Sequence, residues 1–298
     1  MKYDLIIDSR PTEVALALLR DGLLIEFHKE KHDNDFSVGD IYLAKVRKTV
    51  PGLNAAFVNV GYERDGFLHY LDLGPHYNSY KKFTHQAINQ KLNTASLKNF
   101  KKEKTIDKDG SISAVLKSGD QLLTQISKEP ISTKGPRLTT EISLAGRYMV
   151  LLPFSDKVSI SQKIDDAKEQ TRLKKLIRSI KPHGFGVIIR TVAKDKKVAE
   201  LDRDLKNLYK KWQLITKNLK NAKPKIKIHG ELNKASTILR DLLGEKFNKI
   251  HVNNQQLKTE LQEYLSRIAP EKEKNIKLYN KTTPIFQEFN VTKQIKGS

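Results

Sequence analysis

Alternation of apolar and polar positions dominates the first part of the chain. It predicts strands, because successive strand side chains point to opposite faces. Residues 3–7 (YDLII) read as one strand. Residues 14–20 and 23–28 flank Asp21-Gly22, a two-residue turn signal that predicts a hairpin. From 38 to 68 short apolar runs are punctuated by Pro51-Gly52, Gly61 and Asp65-Gly66. Within 55–60, Ala56, Val58 and Val60 share one side, and Phe57 lies opposite, between Ala55 and Asn59. Within 41–50, Ala44, Val46 and Val50 share a side, and Lys45 and Arg47 point the other way. A third strand begins at Phe67, with His69 on its side and Leu68 and Tyr70 on the other. The pattern predicts a small barrel with Lys45, Arg47, Phe57, Phe67 and His69 on one outer surface. A register displaced by one residue would instead place both phenylalanines in the core.

The alternation then breaks. Residues 78–112 carry many lysines among Asn, Ser, Thr and Gln, with only scattered Phe83, Ile88, Leu92, Leu97 and Phe100. They predict an insertion at a barrel loop, mobile or weakly helical, that acts as a solvated loop or as a basic arm. Gly119-Asp120 leads into a closing strand over 121–127, followed by a basic loop containing Lys128, Lys134 and Arg137. Residues 142–153 read as a strand pair broken at Ala145-Gly146, 158–164 as a strand, and 184–191 as a buried strand. Residues 165–180 are helical by composition, with acidic residues first and basic ones last. Val198, Leu201, Leu205, Leu208, Trp212, Ile215 and Leu219 recur at spacings of three and four. They predict a long helix with an apolar seam, Trp212 serving as packing. The last third alternates helix and strand, over 232–243, 249–252, 255–268 and 276–279, an α/β layer. The opening hairpin lacks a partner of its own and is assigned to this C-terminal sheet, which makes that domain discontinuous.

Charge sharpens the picture. The chain of 298 residues has 55 Lys and Arg against 34 Asp and Glu, a formal net charge of +21. An excess of this size suits a polyanionic partner held in a salt-sensitive way. Cations beside exposed rings fit nucleic acid, since rings stack bases and cations track phosphates. There is no cysteine, which excludes disulfides and thiolate-bound zinc within this chain and fits a reducing cytoplasm. Asp4, Asp8 and Glu13 interrupt any signal-peptide core, and no apolar run approaches the roughly 20 residues of a membrane span. A soluble, cytoplasmic protein is expected. Arg190-Thr191 ends an apolar strand ahead of a helix, where backbone amides, a planar guanidinium and a hydroxyl together suit a phosphate. An arginine at a strand end also serves simply as a surface ion pair.

Four stretches in order, 38–68, KEPISTKGPRLTTEISLAGRYMVLLP (128–153), GVIIRT (186–191) and IKLYNKTTPIF (276–286), resemble the ribonuclease E/ribonuclease G family of bacterial endoribonucleases. The resemblance implies an α+β multidomain chain. Its parts would be an S1-type OB β-barrel over 38–137 (with the insertion 78–112), an α/β 5′-sensor region over 138–224, and a discontinuous degenerate RNase H-like α/β subdomain from 1–37 and 225–298. The family's two barrel aromatics match Phe57 and Phe67, and its junction lysine matches Lys134. Lys45, Arg47 and Lys128 complete the expected RNA-binding set. The family's 5′-monophosphate pocket matches Arg190 and Thr191, with backbone at Gly146 and Val150. A basic pair common in relatives reads Gln162-Lys163 here, which leaves Lys163 and weakens contact at 162.

The implied partner is single-stranded RNA, preferably 5′-monophosphorylated, in rRNA processing or mRNA decay. The family's magnesium ion sits on two aspartates of a DNase I-like subdomain, and their motif has no counterpart here. The chain is therefore expected to be a fragment that binds RNA without cutting it, with magnesium needed, and oligomerisation possible, only in the full-length enzyme. Asp4, Asp8, Glu231 and Asp241 are read as structural or solvated. The other reading is a stand-alone, non-catalytic RNA-binding regulator or scaffold.

Overall fold

A computed structural model describes residues 2–31, 36–92, 94–230, 234–242 and 247–296. The chain divides into two compact units, 1–35 with 232–298, and 36–231. It opens with β1 (Tyr3–Ser9), β2 (Glu13–Arg20) and β3 (Leu23–Lys31). The β2–β3 turn is made by Asp21 and Gly22, both at positive φ (50° and 86°). That is the mirror-image turn whose twist matches antiparallel strands.

β4 (Ile41–Val50), β5 (Ala55–Asn59) and β6 (Gly66–His69) follow as a meander. Helices α1 (Tyr77–Ile88) and α2 (Ile112–Val115) precede β7 (Gln121–Lys128) and β8 (Arg137–Thr139). Pairing runs β4-β5-β6-β8-β7, and β7 returns to β4, which closes a five-stranded barrel consistent with an OB-like fold. Its interior holds Ala44, Val46, Ala56, Val58, Val60, Leu68 and Tyr70, the side that alternation marked as apolar; Val50, expected with Ala44 and Val46, is instead half-buried opposite Ala55, beyond a slip in the β4 register. Phe57 and Phe67 are half-buried outside it, so the displaced register does not occur.

The stretch 78–112 departs from expectation. Residues 77–88 form a regular helix, and Tyr77, Tyr80, Phe83 and Ala87 are buried at spacings of three and four. Phe83 lies 5.0 Å, centroid to centroid, from Trp212. The polar residues between these positions and the lysine-rich stretch that follows the helix mask this inner stripe in composition. Position, not overall polarity, decides whether a helix packs.

β9 (Leu144–Ala145), β10 (Met149–Pro153), β11 (Val158–Ile160) and β12 (Phe185–Ile189) form a sheet of order β11-β12-β10-β9. The expected strand over 158–164 ends at 160. α3 (Ala167–Ile180) starts at an Asp166 cap, and α4 (Val198–Leu219) buries Leu201, Leu205, Leu208, Trp212, Ile215 and Leu219. Trp212 is fully buried, and its Nε1 donates to the Ala95 carbonyl at 3.0 Å. β13 (Ile226–His229), grouped by sequence with the C-terminal elements, pairs with barrel strand β4, Ile226 opposite Leu43.

In the other unit, α5 (Lys234–Leu242), β14 (Phe247–Val252), α6 (Gln255–Ile268), β15 (Ile276–Leu278), α7 (Ile285–Glu288) and α8 (Val291–Lys296) complete the chain. β14 pairs in parallel with β1, Leu5 opposite Ile250, giving a sheet of order β15-β14-β1-β2-β3. The ends of the predicted helix over 232–243 lie outside the described residues. No described helix is long and apolar enough to cross a membrane.

Candidate nucleic-acid interface

The barrel's outer face is organised by strand register. Lys48 on β4 stands opposite Phe57 on β5, and Phe57 opposite Phe67 on β6. Phe67 stands beside Arg137 on β8, and Arg137 opposite Lys128 on β7. One row therefore crosses all five strands in the order Lys48, Phe57, Phe67, Arg137, Lys128. At about 4.8 Å per strand, four spacings measure about 19 Å around the barrel. The two rings meet edge to face, with centroids 6.0 Å apart at 71°, and the Lys48 ammonium lies 5.5 Å from the Phe57 centroid. Each ring thus keeps a half-exposed surface while its neighbours hold its tilt.

Two arginines on this face are oriented by carboxylates. Arg137 donates from Nε and Nη2 to Asp72 at 3.0 and 3.3 Å. Arg47 lies 3.4 Å from Asp65. Exposed pairs of this kind contribute only about 0–1 kcal/mol to stability, so their effect here is geometric. Lys45, opposite Asn59, is exposed on the same face.

Sequence reasoning missed Lys48 and did not place Arg137. The pairing slips between Val46 and Lys48, a bulge that changes the parity of β4. Beyond it, Lys48 takes the outward place beside Phe57, and Arg47 becomes the bulged residue. Nothing in the period-two pattern marks that slip. Lys134 sits apart from the row, exposed in the loop closed by the Ile131–Lys134 bridge. That loop is pinned to the barrel. A Cβ on Gly135 would stand 2.1 Å from the Asp65 carbonyl oxygen, and the Phe67 N–H donates to the Pro136 carbonyl at 2.8 Å.

A second cluster forms where β11 and β12 end and β10 begins. Arg190 donates from Nη1 to the Gly146 carbonyl at 2.9 Å and to the Arg147 carbonyl at 3.4 Å, and its own N–H donates to the Tyr148 carbonyl at 2.8 Å. The exposed Thr191 hydroxyl lies 2.8 Å from the Ser161 hydroxyl. Lys163 is exposed, and its N–H donates to Ser161 Oγ at 3.4 Å. Ser161, which the sequence did not single out, thus joins positions 163 and 191. Val150 lies across the same sheet, opposite both Ala145 and Ile188.

Gly146 is required by close approach. The Asp204 carboxylate accepts the N–H groups of Arg147, Tyr148 and Met149 at 3.0, 2.8 and 3.2 Å, and a Cβ on Gly146 would stand 2.6 Å from Asp204 Oδ2. Burial pushes the Asp204 carboxyl up from its ordinary value, against the downward pull of those three donors. The loop after Thr191 is held from α3. Glu169 Oε1 accepts the Asp195 N–H at 2.9 Å, and Arg172, paired with Glu169, donates to the Lys196 carbonyl at 3.1 Å. The Arg172 guanidinium holds the Glu169 carboxyl below its ordinary value.

A match to the model of the ribonuclease E/G family covers residues 143–298. Ribonuclease G of Escherichia coli (strain K12) is 31% identical over 296 residues, covering 99% of this chain. The chain belongs to the ribonuclease E/G family. Ribonuclease G of Haemophilus influenzae is also 31% identical, over 98% of the chain. Ribonuclease E of Synechocystis sp. is 35% identical over 72% of it. The chain spans 57%, 56% and 28% of the length of these three relatives.

Asp4, Asp8 and Asp241 are engaged by hydrogen bonds within the chain. Asp4 accepts from the Asn248 side chain and the Lys249 backbone, Asp8 from Arg10 and Asn253, and Asp241 from Arg240. Glu231 lies outside the described residues. Among the described residues, no group of three or more His, Asp or Glu is arranged to hold a metal ion.

Proposed function

We propose that this chain is the RNA-binding and 5′-monophosphate-sensing portion of a ribonuclease G-type endoribonuclease acting on single-stranded RNA. The cross-barrel row of Lys48, Phe57, Phe67, Arg137 and Lys128 carries the reading. Two adjacent bases stack on the rings, and flanking phosphates meet the cations. Unpaired bases are required, because a duplex hides the faces that the rings would stack against.

In this reading the barrel is S1-type, and residues 138–224 form the 5′-sensor region. Residues 1–37 and 225–298 contribute a degenerate RNase H-like subdomain, with 226–229 on the barrel edge. The sensor receives a terminal phosphate on the Arg190 guanidinium, the Thr191 hydroxyl and the Lys163 ammonium, with the 146–150 backbone as its floor. A guanidinium and a hydroxyl donor suit a phosphate dianion and discriminate against a 5′-hydroxyl, which lacks the charge. Cleavage by magnesium-activated water belongs to the full-length enzyme, in rRNA processing or mRNA decay within the cytoplasm.

The test is fluorescence anisotropy with RNAs that differ only at the 5′ end, over a salt series. Tighter binding of the monophosphate is expected, with a salt slope of about 0.7 per phosphate contact for single strands. No association with unstructured RNA at moderate ionic strength would end the proposal.

A further inference from the structure

The solvent face of α4 is not used by either cluster described above, and beyond Glu200 and Asp202 in its first turns its charge is one-sided. Residues 205–227 contain eight lysines and no Asp or Glu. At the chain-wide ratio of 55 basic to 34 acidic residues, a run with eight lysines would carry about five carboxylates. An ordinary solvated helix face mixes both signs, because like charges along a helix repel. Arg203, Lys210 and Lys217 recur every seven residues, opposite the buried seam of Leu201, Leu205, Leu208, Trp212, Ile215 and Leu219. At 1.5 Å per residue they span about 21 Å of helix. Lys220, Lys223 and Lys225 continue the line beyond the helix, all exposed.

Among the described residues, few of these charges are held in ion pairs. Lys206 pairs with Asp202, and Lys227 with Asp40. Among the described residues, Arg203, Lys210, Lys217, Lys220, Lys223 and Lys225 form no ion pair. The run ends against the barrel. The Lys225 N–H donates to the Leu43 carbonyl at 2.6 Å, and β13 then pairs along β4. Two residues further along β4, about 6.6 Å, stands exposed Lys45, on the face that carries the rings. Gly61, just beyond β5, packs so closely on Lys225 that a Cβ there would stand 2.7 Å from its carbonyl oxygen.

We propose that the outer face of α4 and the lysine segment after it form a second, phosphate-only track for single-stranded RNA continuing from the barrel. The inference rests on the reading that the barrel face binds RNA. Two observations favour a continuing strand as occupant. The lysine line joins the ring-bearing face at Lys45, and it carries no exposed ring of its own: Trp212 is buried, and Tyr209 packs on Phe185. A track without rings holds backbone and reads no base. Binding should therefore grow with RNA length irrespective of sequence.

The experiment compares unstructured RNAs of about 6 and about 16 nucleotides, the range of site sizes for one such barrel. It uses the whole chain, the quadruple variant K210Q/K217Q/K220Q/K223Q, and the same four positions changed to arginine. The glutamine variant should bind the long RNA about tenfold more weakly, with its salt slope reduced by up to about 0.7 per lysine removed. It should bind the short RNA as the unaltered chain does. The arginine variant should match the unaltered chain on both, which separates lost charge from lost folding. Unchanged binding of the long RNA would overturn the track, as would an equal loss on both lengths. F57A serves as the control for the barrel: weaker binding of both RNAs there, with the long one still held more tightly than the short, keeps the two readings distinguishable.

Discussion

Phe57→Ala separates a recognition surface from a core position, because the two roles predict opposite balances of stability and affinity. In the folded chain the ring is half-buried and rests on Phe67 at 6.0 Å, with the Lys48 ammonium 5.5 Å from its centroid. An edge-to-face aromatic pair is worth about 0.5–1.5 kcal/mol, and an exposed cation–π contact about 0.5–1 kcal/mol. Removing both should lower stability by about 1–2.5 kcal/mol, against about 3–5 kcal/mol for a phenylalanine removed from a core. Stacking of one base on the ring contributes about 1–3 kcal/mol, which corresponds to a roughly 5- to 150-fold weaker Kd for single-stranded RNA. Urea denaturation followed by tryptophan fluorescence gives the first quantity, since Trp212 is buried in the same compact unit. Anisotropy with a labelled unstructured RNA gives the second. A stability loss in the core range with an unaltered Kd would refute the reasoning. Val58→Ala, one residue away on the inner face, should give the reverse balance.

The remaining expectations concern the second cluster. Arg190→Ala should reduce the preference for 5′-monophosphate over 5′-hydroxyl RNA toward unity, with binding through the barrel retained; an unchanged preference in anisotropy would exclude Arg190 from phosphate recognition. Gly146→Ala drives a methyl group to 2.6 Å from Asp204 Oδ2. Overpacking of about 1–3 kcal/mol, with loss of one charge-assisted hydrogen bond at about 1.5–3 kcal/mol, should appear as a lower urea midpoint. The Glu169 carboxyl titrates below its ordinary value in the folded chain because Arg172 holds it ionised. Its contribution is thus present above the ordinary glutamate range and lost as pH falls through the lowered folded value. Stability against urea should drop between neutrality and strongly acidic pH by less in Glu169→Gln than in the unaltered chain, and equal drops would dismiss the link.

Much of the barrel face was legible in the alternation of residues 41–70. The inward set of Ala44, Val46, Ala56, Val58, Val60, Leu68 and Tyr70 follows from covalent geometry, which sends neighbouring strand side chains to opposite sides. The seam of α4 was legible for the same reason, since a helix repeats every 3.6 residues wherever it packs. Arg190-Thr191 stood out as a basic and hydroxyl pair at a strand end. Helix α1 was hidden, because its buried positions alternate with polar ones and it runs into a lysine-rich stretch, so composition over 78–112 does not signal packing.

What one strand places beside another is not a local property. Lys48 reached Phe57 only through the bulge at Arg47, and Arg137 and Lys128 entered the row only because β8 lies between β6 and β7. Ser161 met Thr191 because β11 and β12 run parallel in one register, Ile160 opposite Ile189. The sequence by itself determined how much positive charge the chain carries and, where no bulge intervenes, which side chains face out of the barrel strands and of α4. Tertiary structure alone decided which of them stand side by side, because cross-strand register depends on a partner many residues away and a single bulge reverses it.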